Sequence, residues 1–300
     1  NSFCTLLAMR ASRLRLVTGS NFNSPLLFCK FTDGSRRVTL KPRGNDLEAR
    51  VHVIPMSHAA TKGFFDSVIK FMAGEMASIG VGDPHEVPEP LRGTCKILME
   101  GLAESHEERN VEKQELAYLI EQVQQARRGN KEAENFLHQF TGKVESNTLY
   151  LPETQALIAQ SYQLPYPLPN DLWLQDAYFR PLTSARFGPQ IASCDVCLED
   201  FSPQDRSKFQ SEPQALRQER ERQCAVEIRR MVAAGAKQVF VPWGHFHTPP
   251  IMGRLMSAQD GVTTPGSDIV FDVADAAQAP TPYGWTDEML EATYGSSPAA

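Results

Sequence analysis

The 300-residue chain is poor in cysteine, has no long apolar run, carries no excess of basic charge and lacks the common nucleotide and serine-hydrolase loops. Each absence removes a class of function. Six cysteines (Cys4, Cys29, Cys95, Cys194, Cys197, Cys224) over this length are too sparse for a disulfide scaffold. Cys194-Asp195-Val196-Cys197 is a lone C-x-x-C. Without a second Cys or His pair at finger spacing it reads as two ordinary thiols rather than a zinc site or a redox pair. No run approaches the roughly 20 apolar residues that span a bilayer, so no transmembrane segment is expected. The net charge of −6 argues against a nucleic-acid surface, and the Arg10, Arg13, Arg15 cluster reads as solvated. No G-x-S-x-G elbow, G-x-G-x-x-G or P-loop is present, which argues against that serine-hydrolase class and against nucleotide cofactors.

Hydrophobic content of 41% and charged content of 22% are those of a soluble globular chain long enough for a large core. The chain opens at Asn1 without an initiator Met, as expected of a processed product or a fragment, and Ser2–Met9 is no complete signal peptide. A secreted or periplasmic and a cytoplasmic location both stay open, and oligomeric state is not legible.

Composition and periodicity divide the chain into an unstructured segment (1–24), one α/β domain (25–274) and a flexible Ala/Pro/Gly/Ser-rich tail (275–300). Leu26–Phe31 and Arg37–Leu40 flank Asp33-Gly34 and predict an opening β-hairpin. Strands are expected at Ala49–Ile54, Cys95–Met99, Val239–Val241 and Asp268–Val273. Helical periodicity covers 59–71, 107–145 and Gln214–Ala234, with a further helix start at Ser202-Pro203 and another from Met252. Tyr162–Pro169 opens an irregular excursion toward Asp195. Strands interleaved with helices predict a mixed sheet with helices packed on it.

Three of these strands end in groups that carry chemistry. His58 follows the strand that stops at Ile54, Glu100 follows Cys95–Met99, and His245 and His247 follow Val239–Val241. Strands side by side would gather these groups at the C-terminal edge of the sheet, where open α/β sheets bind ligands. Imidazoles with a carboxylate form a mixed N/O donor set suited to Zn²⁺, Mn²⁺ or Co²⁺. Val53–His58 and Phe240–His245 also echo each other: two apolar residues, Pro, a large side chain, a small one and His. The bland alternative is that these histidines only cap strands. His52, inside its strand, reads as structural, and His85, His106 and His138 as surface residues.

In these motifs the chain resembles the TraB/GumN family, in the superfamily with the Tiki, ChaN-like and erythromycin esterase-like proteins. The opening block Pro25–Leu40, the strand-ending His58, Glu100-Gly101, Cys194–Pro203, Arg222-Gln223 and Gly244-His245-Phe246-His247 follow the family order over about 25–273. The resemblance implies a metal-dependent hydrolase-like site with His58, Glu100, Arg222 and His247 as its residues. Pro55 stands where the family has Gly, and Gln223 where it has Asn. The family spacing puts Gly three residues before His247, whereas the internal echo pairs His58 with His245, so His247 ranks first and His245 second. A second family glutamate has no clear match, Glu104 being the nearest. Arg222 lies in a charged helical run, where a solvated face is the alternative.

Two functions compete. One is a hydrolase of a peptide or ester bond, with His58, Glu100, His245 and His247 as the pool of metal ligands for Mn, Co or Zn, and Glu100 and Arg222 as catalytic groups acting on a peptide or small-molecule substrate. The other is a non-catalytic module that sequesters a signalling peptide or a haem-like ligand in the same cleft.

Overall fold

The computed structural model describes residues 36–44, 47–145, 172–193, 196–258 and 264–278. Two separate apolar clusters line the two faces of one sheet, and strand alternation feeds both. In β2 (Arg50–Met56) Ile54 and Met56 join one cluster while Val51 and Val53 join the other. Burial on both faces is why the central parallel strands read as continuous apolar runs.

The order along the chain is β1 (Arg36–Pro42), β2, β3 (Ala59–Thr61), α1 (Lys62–Ser78), β4 (Cys95–Met99), β5 (Leu102–Ala103), α2 (His106–Arg127) and α3 (Lys131–Glu145). There follow β6 (Leu172–Leu174), a π-helical turn at Gln175–Phe179, α4 (Arg180–Phe187), β7 (Ile191–Ser193) and β8 (Val196–Cys197). The rest is α5 (Pro203–Ser211), α6 (Pro213–Ala233), β9 (Gln238–Gly244), α7 (Thr248–Leu255) and β10 (Phe271–Gln278). Among the described residues the main sheet has six strands in the order β10-β1-β2-β9-β4-β7. Strands β2, β9, β4 and β7 run parallel, and β1 is antiparallel to both of its neighbours, so the fold is α/β with a mixed sheet. The first core cluster packs α1 and residues of α2, α3 and α4 on one face; the second packs α6 and α7 on the other. Two short pairs, β3–β6 and β5–β8, extend from the rim. Among the described residues no helix is long and apolar enough to cross a membrane.

Local chemistry explains the helix boundaries. Thr61 caps α1 by accepting from the Phe64 N–H, and Ser202 caps α5 by accepting from Asp205 with Pro203 at the first position. The stretch expected as one helical block over 107–145 is two helices. Gly129 at φ +86° ends α2, and the Asn130 side chain accepts from the N–H groups of Glu132 and Ala133 to start α3.

Several sequence expectations change. Helix α7 starts at Thr248 rather than near Met252, because Pro249 and Pro250 occupy the first turn, where a missing N–H costs nothing. The last strand runs Phe271–Gln278, past the domain boundary expected at 274. Its pairing with β1 is made by backbone groups, and its mostly exposed Ala and Asp side chains carry no apolar pattern. The described part of the excursion expected to continue to Asp195 holds regular elements from Leu172 onward: β6, the π-helical turn, α4 and β7. The sheet opens on the antiparallel pair β1–β2. The run 26–31, proposed as the first strand of the hairpin, lies outside the described residues, and β1 has β2 on one side and β10 on the other. The Arg10 cluster, Tyr162–Pro169, Cys194 and Asp195 also lie outside them.

His52 is structural, as expected. Its ring is 1% exposed, stacked 5.0 Å from Phe240, with Nδ1 3.0 Å from the Thr39 hydroxyl and Nε2 donating to Gln238 Oε1 at 2.6 Å. It thus ties β1, β2 and the start of β9. Burial pushes its pKa below the usual histidine value, outweighing the Gln238 hydrogen bond and the nearby Glu75. A histidine depressed in the folded state holds fewer protons than it does unfolded. Its contribution is therefore full above about pH 6.5 and is lost as pH falls toward the folded value. Urea denaturation between about pH 7 and pH 5 should show stability falling, with up to about 1.4 kcal/mol per pH unit from this one group. The slope should be shallower in His52→Gln, and an unchanged slope would remove His52 as the source.

Candidate functional site

The parallel strands β2, β9 and β4 end together, and each delivers a polar group to the same edge. Glu100 follows β4 directly. Its side chain is 10% exposed, a costly position for a carboxylate unless it is paired. Oε2 accepts the Gly244 N–H at 2.7 Å; Oε1 accepts from Arg220 at 3.0 Å and lies 3.3 Å from His247 Nε2. The Arg180 guanidinium donates to the Glu100 backbone carbonyl. Burial alone would raise the carboxyl pKa. The His247 hydrogen bond and the charges of Arg220, His58 and His247 outweigh it and hold Glu100 well below the usual carboxylate range.

His247 sits where β9 turns into α7, its N–H bonded to the Gly244 carbonyl. Its Nδ1 donates to Glu221 Oε1 at 3.0 Å, and Glu221 is almost fully buried beneath it. Arg217 approaches the same Glu221 oxygen at 3.6 Å. Burial lowers the His247 pKa, but hydrogen bonds to Glu100 and Glu221 reverse that and raise it. The Trp243 ring, anchored by its indole N–H on the Leu98 carbonyl at 3.1 Å, meets His247 edge to face at 5.5 Å.

Gly244 is the floor of the site. A Cβ there would lie 3.1 Å from Glu100 Oε2, 3.6 Å from His247 Cδ2 and 3.8 Å from His58 Nε2. Those three distances show that His58, Glu100 and His247 converge on one point. His58 is exposed, on the turn between β2 and β3, with its carbonyl accepting from the Gln175 N–H. His245 faces inward instead. It is 5% exposed, and its Nδ1 lies 3.3 Å from the Met56 carbonyl. Burial pushes its pKa down to about 4, the Met56 carbonyl opposing only in part, so it is neutral near pH 7. Of the two, His247 is the one beside Glu100.

Arg222 is a correction. It is 43% exposed and bonded to Glu219 on the same helix, away from the strand ends. The arginine at the site is Arg220. Two residues turn a helix by about 200°, which puts these two side chains on opposite faces. The second glutamate near these groups is Glu221, on His247, whereas Glu104 is exposed; no helix runs from Glu100 because β5 intervenes and α2 starts only after Ser105. A signal for both was present. The buried stripe Cys224, Ala225, Ile228, Met231, Val232, extended backwards at the same spacing, selects Glu221, Arg220 and Arg217 and excludes Arg222. Nothing in the sequence singled out Arg180. His85 is half-buried with Nε2 donating to the Ala185 carbonyl at 2.8 Å, so it too is structural rather than a plain surface residue.

Two imidazoles and a carboxylate grouped around Gly244 are donor types that suit a divalent ion, and Glu221 on Nδ1 orients His247 with Nε2 toward Glu100, as outer carboxylates do for metal-binding histidines. In the present arrangement that nitrogen faces Glu100, whose Oε1 is shared with Arg220, so an ion would replace the Nε2 proton. Among the described residues, the group whose three ligand atoms already lie within 4.8 Å of one another is elsewhere: His106, Cys197 and Glu199.

Comparison with known proteins returns no matching family model, no matching curated protein and no matching solved structure.

The opposed faces of α6 are directly testable by chemical denaturation. Arg220→Met leaves a buried carboxylate without its cation and should cost on the order of 3 kcal/mol. Arg222→Met should stay within about 0.5 kcal/mol of wild type. Equal effects would contradict the assignment of Arg220 to the site.

Proposed function

We propose that the protein is a hydrolase of peptide or ester bonds that uses a divalent ion at the C-terminal edge of the sheet. The observation carrying this reading is the convergence of His58, Glu100 and His247 around Gly244, with a buried glutamate on the far nitrogen of His247. The TraB/GumN resemblance supports the same reaction class and adds nothing about the substrate. His58, Glu100 and His247 would hold the ion, which would acidify a bound water and polarise the scissile carbonyl.

The chain's own groups have separable tasks. Glu221 fixes the tautomer and direction of His247. Arg220 and the Gly244 N–H keep Glu100 ionised and oriented. His245, neutral near pH 7 and turned inward, supports the edge. Arg222 has no task at this site.

A second reading has its own observation. Glu100 already receives Gly244, Arg220 and His247, a charge-satisfied arrangement that suits a binding module for a peptide or haem-like ligand without chemistry.

A panel of ester and peptide substrates, assayed on chelator-stripped protein with Mn²⁺, Co²⁺ or Zn²⁺ restored, separates the two. Hydrolysis should require one of the ions and fall by at least about 100-fold in His247→Ala and His58→Ala, each removing one metal ligand. Folding of these variants is checked by circular dichroism. Turnover that survives chelation would remove the metal. No turnover together with intact ligand binding would favour the binding module.

A further inference from the structure

A second constellation lies a few residues further along the chain and shares no residue with this one. β5 and β8 form a two-residue parallel pair in which Ala103 opposes Cys197. The chain then enters a short turn, Leu198–Asp200, while on the other strand Ser105 caps α2 and His106 begins it. One ligand atom each from His106, Cys197 and Glu199 lies within 4.8 Å of the others. Cys197 is buried, whereas His106 and Glu199 are 56% and 43% exposed, so the cluster has a closed thiol side and an open solvent side.

The details favour an ion over an accidental grouping. His106 Nδ1 stands 3.3 Å from Glu199 Oε2. Two donors bound to one tetrahedral zinc at about 2.0–2.3 Å are themselves roughly 3.3–3.8 Å apart. The opposite nitrogen, Nε2, is 2.7 Å from Asp200 Oδ1, and Asp200 is held in turn by Arg109 at 3.1 Å. That bond places the Nε2 proton on the Asp200 side and leaves Nδ1 facing Glu199, the outer-carboxylate arrangement of metal-binding histidines. Helix capping accounts for one contact only, the His106 N–H to Glu199 Oε2 at 2.7 Å. It gives no reason for a thiol in the same space or for a carboxylate on the far nitrogen.

We infer that His106, Cys197 and Glu199 form a binding site for one zinc-class divalent ion, with water completing the coordination on the open side. A thiolate, an imidazole and one carboxylate select a borderline-soft ion such as Zn²⁺ or Co²⁺ over Mg²⁺ or Ca²⁺, which prefer all-oxygen shells. The ion would clamp the β8 turn to the start of α2. The site shares no ligand with the proposed hydrolytic centre, which uses no thiol.

Co²⁺ is therefore the probe, because thiolate-to-cobalt charge transfer reports only a site containing cysteine. Reduced, chelator-stripped protein titrated with Co²⁺ should develop this near-ultraviolet band with the amplitude of one thiolate–cobalt bond per chain. The band should vanish in Cys197→Ser and persist in His247→Ala and His58→Ala. Asp200→Asn should weaken Co²⁺ binding by about 10–100-fold, and Glu199→Gln by at least as much; both residues are exposed, so these variants remain informative if Cys197→Ser does not fold. No thiolate band in the wild type, an unchanged band in Cys197→Ser, or wild-type affinity in both Glu199→Gln and Asp200→Asn would overturn the site. Loss of hydrolysis with this band intact would count against the hydrolase reading alone.

Discussion

A carboxylate buried at the end of β4 sets the terms for the whole edge of the sheet. Glu100 keeps its charge only because a backbone N–H, a guanidinium and an imidazole reach it together. Each partner makes a demand of its own. A Cβ at Gly244 would stand 3.1 Å from Glu100 Oε2, so any side chain there would push the carboxylate by a few tenths of an ångström. His247 must be balanced by Glu221, and Glu221, almost fully buried, in turn draws Arg217. The network ties three elements, β4, β9 and α6, through charges that cannot be left alone in a low-dielectric setting.

This explains the division of α6 into two halves with different surroundings. Its C-terminal half buries Cys224, Ala225, Ile228, Met231 and Val232 against the sheet, in the same cluster as Val239 and Val241. Its N-terminal half extends the same face past the strand ends, where Glu221, Arg220 and Arg217 meet Glu100 and His247. One helical face therefore supplies both the apolar packing and the polar network. The packing fixes the helix rotation, and the rotation decides which of several neighbouring charged residues reach the site.

Much of the fold was legible in the sequence because the central strands are buried on both faces and appear as apolar runs. The histidines and Glu100 at the strand ends were legible for the same reason: where an apolar run stops, its first polar group marks the edge. What could not be read depended on contacts between distant elements. β10 was expected only as far as Val273; its second half, 274–278, is a strand by virtue of backbone pairing with β1, and those residues show no apolar pattern. The echo between Val53–His58 and Phe240–His245 aligns the two prolines, whereas the ladder pairs Pro55 with Trp243 and Met56 with Gly244. A one-residue offset reverses every side chain, so the echo has no counterpart in the sheet. Arg222 failed for a related reason. A motif match counted residues along a charged helix, but the rotation of that helix was set by an apolar stripe further on.

The two histidine-carboxylate constellations share a short length of chain. Glu100 leaves β4, Ala103 pairs beside Cys197, and His106 opens α2, so residues 100–106 connect one set to the other. Arg180 holds the start of this segment through the Glu100 carbonyl, and Glu199 holds its end through the His106 N–H. A segment fixed at both ends can keep a buried carboxylate in place against the pull of Arg220 and His247. Positioning of this kind needs rigidity on the scale of a hydrogen bond, because a displacement of about 1 Å is enough to impair a reactive centre. The exposed cluster at the start of α2 thus has a physical connection to the buried one at the end of β4: it anchors the chain that carries Glu100.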